Sequence, residues 1–144
     1  MAITVNRLLE LFEEKGAKDT DNLYVLNSAP FGIDLTEECE HACLGIKEIE
    51  ICGTDVKMDT TEKFKIVEFI HASDDLKDFK CLTVGEVIKF LNSIKDKNEK
   101  VFFSTTSSNQ HLEIINAHKQ KLEYENKNIK ARQITGGNVF HLIF

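Results

Sequence analysis

The sequence predicts an α+β domain built from two related α-β-β-β halves, with the helices packed on a mainly antiparallel sheet. Three observations predict it. Residues 3–12 (ITVNRLLELF) and 82–91 (LTVGEVIKFL) each place apolar residues at helical spacing behind a threonine in the N-cap position. Later segments alternate apolar and polar residues with the period of two of a strand that has one wet face. The elements also follow one order in each half: capped helix, short strand, further strands, long final strand.

In the first helix Thr4 is the cap, and Val5, Leu8, Leu9 and Phe12 form the apolar stripe. Arg7 stands where a capping box needs an acid, so the reciprocal contact is missing. Residues 16–22 read as a loop, 23–26 as a short buried strand, and Ala29-Pro30-Phe31-Gly32 as a turn. An inserted helix is expected near 36–44, with Leu35, Cys39, Ala42, Cys43 and Ile46 on one face and Gly45 as its stop. In residues 47–52, Ile49 and Ile51 alternate with Glu48 and Glu50. Gly53-Thr54-Asp55 then reads as a hairpin turn into 56–58. Residues 64–71 form a longer strand, with Phe64, Ile66 and Ile70 on one face and Glu68 interrupting them. The polar run 72–81 is the connector, so the halves are 1–71 and 82–144 of a single unit.

The second helix has the stronger start. Thr83 and Glu86 make a capping box, Leu82 and Val87 sit at staple positions, and Val84, Val87, Ile88, Leu91 and Ile94 form the stripe. The charged run 95–100 (KDKNEK) leads to a strand at 101–103, then to a loop of hydroxyls and amides. Residues 111–119 and 121–125 read as strand pieces, 128–134 as a strand after a turn at 126–128, and 138–144 as an apolar final strand tied into a sheet. The helices align at a shift of 79 residues, the short strands at 78 and the final strands at 73. Identities are few, Thr4 with Thr83 and Val5 with Val84 at the helix starts, so the order of elements carries the duplication.

Composition bounds the function. A chain of 144 residues, 42% hydrophobic and 29% charged, has enough apolar content for one packed core. It has no run approaching the roughly 20 apolar residues of a membrane span, and its start lacks the pattern of a secretory signal. A cytoplasmic protein without membrane partners is expected, with its four cysteines reduced. Residues 1–71 carry 7 basic and 15 acidic side chains, against 11 and 9 in 72–144, so the first half repels phosphates and nucleic acid is not an expected partner.

No phosphate-binding glycine loop, nucleophile elbow, His-Glu-x-x-His or Cys-x-x-Cys occurs, and no cofactor is expected. Cys39 and Cys43, with Cys52 and a histidine, have the residue types of a zinc site. Their place on an apolar helical stripe points to packing instead. The densest ligand-ready loop is Thr105, Thr106, Ser107, Ser108 and Asn109. Its hydroxyls and amides can bond phosphate oxygens or base edges, with Lys119, Lys121, Lys130 and Arg132 as cations and Tyr124 or Phe102 as stacking rings. The competing reading is a solvated hairpin beside a lysine-guarded sheet edge.

The stretch 82–115, opening LTVGEVIKFLNSIKDKNEKVFF, resembles small uncharacterised proteins of phages and mobile elements, in which a T-V-x-[ED]-hydrophobic helix precedes a charged loop and a short strand. The first-half copy departs from the pattern at Asn6 and Arg7. The resemblance implies a source and a size class and carries over no catalytic residue. The expected function is a non-enzymatic binding protein, phage-encoded, that sequesters a nucleotide-like small molecule or blocks a host defence factor. The alternatives are a small hydrolase using His111, His118 or His141 with a carboxylate, and a structural component that assembles as a homo-oligomer.

Overall fold

A computed structural model describes residues 1–26, 44–71, 82–105, 111–122 and 137–143. Its first helix, α1 (Val5–Glu14), begins where Thr4 Oγ1 accepts the Arg7 N–H at 3.0 Å. Arg7 itself reaches along the exposed face to Glu10 and Glu14. Val5, Leu8, Leu11 and Phe12 are buried, and Leu9 is half-buried against the same core. The helix ends at Gly16, whose φ of +68° lets its N–H reach Glu13 O while the Ala17 N–H reaches Phe12 O. That is a Schellman stop, which glycine adopts without a Cβ clash.

The second helix, α2 (Val84–Ser93), has the capping box. The Glu86 N–H donates to Thr83 Oγ1, and the Thr83 N–H donates to Glu86 Oε1, both at 3.3 Å. It stops differently from α1. The Lys97 ammonium donates to the carbonyls of Leu91 at 2.9 Å, of Asn92 at 3.1 Å and of Ile94, satisfying helix-end acceptors with one cation.

The strands form two sheets. β1 (Asn22–Leu26) belongs to a three-stranded sheet of order β1-β7-β6, completed by β6 (Asn116–Leu122) and β7 (Gly137–Ile143). β2 (Leu44–Cys52), β3 (Lys63–His71), β4 (Lys100–Thr105) and β5 (Leu112–Glu113) form a four-stranded sheet in that order. The pairs β2–β3, β4–β5 and β6–β7 are antiparallel, whereas β3–β4 and β1–β7 are parallel. Helices with two mixed sheets thus make an α+β fold, and the parallel pairs are the ones that join the first half to the second.

These cross-half connections are reciprocal. The Val5 N–H donates to Glu99 O, and the Val84 N–H to Asp21 O, both at 2.9 Å. The Leu23 N–H donates to Leu82 O, and the Val101 N–H to Ile3 O. The Asn6 N–H reaches Lys97 O, and the Gly85 N–H reaches Asp19 O, both at 3.0 Å. Thr4 bridges Lys100 and Thr83 bridges Asn22. In register, Val101 lies beside Val67 and Leu23 beside Phe140.

One core collects residues from both helices and both sheets, including Phe12, Leu23, Val67, Phe69, Leu91, Val101 and Phe140. A second, smaller cluster of Ala2, Ile51, Ile66 and Phe102 covers the other face of the four-stranded sheet, because residues 66 and 67 of one strand point to opposite sides.

Several local expectations change. Residues 53–56 form a 3-10 turn and not a hairpin turn, and Val56 to Met58 is not a strand. The Asp55 carboxylate accepts the Cys52 N–H at 3.0 Å, and a Cβ on Gly53 would lie 2.4 Å from the Thr60 side chain, so the chain folds tightly back there. Leu44, Gly45 and Ile46, expected in or after an inserted helix, are in β2 opposite His71, Ile70 and Phe69. The rest of that helix, 36–43, and the strand expected at 128–134 lie outside the described residues. Residues 111–119 split into β5 and β6, in different sheets. Ile114 is bonded to Ile3 and Val101 on one side, and the Ile115 N–H donates to Ile143 O on the other.

Candidate functional site

Much of the sequence-predicted site lies outside the described residues: Thr106, Ser107, Ser108, Asn109, Tyr124, Lys130 and Arg132, as do Cys39 and Cys43. Thr105 ends β4 opposite His71, and Lys121 sits in β6 opposite Asn138. The Lys119 ammonium is engaged by the fold itself. It is 3.0 Å from Asp21 Oδ2 and donates to Gly16 O at 2.8 Å. Phe102 is buried in the smaller cluster and offers no ring face to a ligand. Cys52 is a half-buried free thiol, and among the described residues no three His, Cys, Asp or Glu side chains are grouped to hold a metal ion. Among the same residues no helix is long and apolar enough to cross a membrane.

Glu68, which interrupts the apolar face of β3, is 3% exposed and has two partners. Ser104 Oγ donates to its Oε1 at 3.0 Å, and His111 Nδ1 meets its Oε2. β3 and β4 run parallel and put Glu68 and Ser104 on one face, and the residue just before β5 brings in His111. This is the His-carboxylate pair that the hydrolase alternative requires. The hydroxyl, however, bonds the carboxylate and not the imidazole, so the three are not arranged as a serine–histidine–acid relay. The trio does what a buried carboxylate demands, supplying donors to both oxygens.

A different carboxylate lacks that provision. Glu99, in the charged run before β4, is 8% exposed, and its Oε2 has no hydrogen-bond partner. It lines a cavity of about 590 Å³ between the α2–β4 connection and strands β2 and β3. Carboxylates Glu48 and Asp96 line the same cavity, as do Lys65, Lys95 and Lys100. Burial pushes the Glu99 carboxyl up to about 7; hydrogen bonding with Glu48 and repulsion from Glu48 and Asp96 act in the same direction, and Lys65 opposes them.

Glu99 keeps its proton in the folded state at a pH where the unfolded chain has already released it, so the folded state binds more protons. Stability from this group is intact below about pH 4.5, falls as pH rises to about 7, and then levels off. Glu99→Gln mimics the protonated form. Relative to the unsubstituted protein it is expected to gain on the order of 2 kcal/mol at pH 8 and almost nothing at pH 4.5. Urea unfolding followed by circular dichroism reads the difference; a gain independent of pH would contradict the burial of the charge.

Sequence reasoning read Glu99 as part of a charged run leading to a strand and did not single it out. The signal was present in the 78-residue shift, which lays Glu99 over Asp21, another buried acid that immediately precedes a short strand. No family model, curated protein or solved structure matches the chain.

Proposed function

We propose that the protein is a non-catalytic binding protein whose recognition site is the cavity at Glu48 and Glu99. The observation that carries this reading is a buried carboxylate oxygen with no partner, beside a cavity of about 590 Å³. Such a volume is within the range of about 300–1,000 Å³ of small-molecule sites. An unmet buried acceptor costs about 1–3 kcal/mol, which a ligand donor can recover. The same reading includes an origin by duplication, with the reciprocal hydrogen bonds between the halves as its support. The nucleotide-like ligand expected from the loop at 105–109 has less support, because the Lys119 ammonium is engaged by Asp21. In the hydrolase alternative the His111–Glu68 pair is present, but the Ser104 hydroxyl bonds Glu68 and not His111.

Amide NMR spectra recorded with small cationic, neutral and anionic fragments test the site. The expected result is shift changes centred on residues 93–100 and on Glu48, Phe64 and Lys65. Changes centred on residues 105–109 and the strands beside them would overturn the assignment and return the site to the hydroxyl loop.

A further inference from the structure

We infer that the cavity receives a primary ammonium carried on an alkyl chain, held between Glu99 and Glu48 in the place that corresponds to the Lys119 ammonium beside Asp21. The inference rests on the cavity being the binding site and names the chemistry of its ligand.

The register carries the correspondence. In the four-stranded sheet Glu48 lies opposite Val67, and Val67 beside Val101. In the three-stranded sheet Lys119 lies opposite Phe140, and Phe140 beside Leu23. Glu99 is two residues before Val101, and Asp21 two residues before Leu23. Both acids are buried, and both backbones accept the first N–H of a helix from the other half. Glu48 therefore stands to Glu99 as Lys119 stands to Asp21.

At one place the fold supplies its own cation. Lys119 runs from β6 to Asp21, and its ammonium also bonds the Gly16 carbonyl. At the other place the strand residue is a second acid, and Glu99 Oε2 is left without a donor. The counterpart of the Gly16 carbonyl, five residues before the buried acid, is that of Ile94, which is taken by Lys97. An incoming ammonium would thus have two carboxylates where Lys119 has a carboxylate and a carbonyl. Phe64 and Ile94 line the cavity and suit an alkyl chain. Glu48, Lys65 and Lys95 are exposed and Lys100 is half-buried, so these charges stand toward the rim, while Glu99 and its unmet oxygen are buried beneath them. Two carboxylates match an ammonium with three donors, and charge-assisted bonds of this kind are the strong class.

The test uses the full chain with n-butylammonium, n-butanol and butyrate as probes, followed by amide NMR. Butylammonium is expected to shift residues 93–100 at concentrations where the other two do not. Glu48→Lys builds the missing cation into the chain at the position matching Lys119. It is expected to unfold at a higher temperature than the unsubstituted protein at pH 8 and to bind butylammonium at least tenfold more weakly. Glu99→Gln should lose the same binding without changing the charge at residue 48. Cadaverine and Nα-acetyl-lysine methylamide separate a free amine from a lysine side chain of a partner protein, and the tighter of the two names the source. If butanol or butyrate shifts the cavity and butylammonium does not, the ligand class is wrong while the site stands. If no probe shifts it, the site and the ligand class fall together. If folded Glu48→Lys binds butylammonium as the unsubstituted protein does, the correspondence with Lys119 is overturned.

Discussion

Replacing Phe140 with alanine is expected to lower the unfolding free energy by about 4 kcal/mol. Its ring is fully buried in β7 and meets Phe12 of α1 edge to face, with centroids 4.9 Å apart and planes at 66°. The loss combines the hydrophobic transfer of a large ring, the cavity left behind and an aromatic pair worth about 1 kcal/mol. Phe12 belongs to the first half and Phe140 to the second, so the same substitution loosens both. Urea unfolding should show one transition moved to lower denaturant, and Phe140→Leu should cost less, about 1–2 kcal/mol, because it refills part of the volume. A loss below about 1 kcal/mol for the alanine variant would mean that the ring is not in a closed core.

Lys119→Met is the second large effect. It keeps the length of the side chain and removes the ammonium, leaving Asp21 buried at 5% exposure with the Lys18 N–H, 2.8 Å from its Oδ2, as its partner among the described residues. Breaking a buried pair on one side typically costs about 3–5 kcal/mol. Lys119 keeps some solvent contact, its side chain being 18% exposed, so a loss of about 2–3 kcal/mol at pH 7 is expected. Adding Asp21→Asn should restore part of it, since an uncharged amide is less costly to bury alone than a carboxylate. A double-mutant cycle reads the coupling. Coupling near zero would show that the ammonium and the carboxylate are solvated separately, and the template for the proposed ligand would go with it.

The helices were legible because their signals are local. The threonine caps, the acid at Glu86 and the apolar stripes all lie within one or two turns, and the starts of the helices at Val5 and Val84 follow from them. The strands at 22–26, 63–71 and 137–143 were legible from alternation and apolar content. Their partners were not, because β1 with β7 and β3 with β4 are parallel pairs whose residues lie far apart along the chain. The passage from β5 to β6 also went unread. No glycine or proline marks Ile114 and Ile115; the break there comes from backbone bonds to two different sheets.

The candidate site was less legible than the fold, for one reason. Burial of a charged residue depends on register, and register is a tertiary fact. In the run KDKNEK, Glu99 looks like its neighbours until Val101 is set beside Val67 and Glu48 is found across the strand. Glu68 was visible as a break in an alternating strand, but its partners, Ser104 and His111, are 36 and 43 residues away. Lys119 was read as a cation for a phosphate. Only the fold shows that an acid of the first half already holds it.

The central claim is that Glu99 is a buried carboxyl awaiting a cation. A carbon-13 NMR titration of its side-chain carboxyl, without ligand and then with saturating n-butylammonium, tests it most directly. The predicted result is a midpoint near 7 in the free protein, moved to lower pH by the amine, since a bound ammonium favours the ionised form. A midpoint at the ordinary carboxylate value, unchanged by the amine, would contradict it.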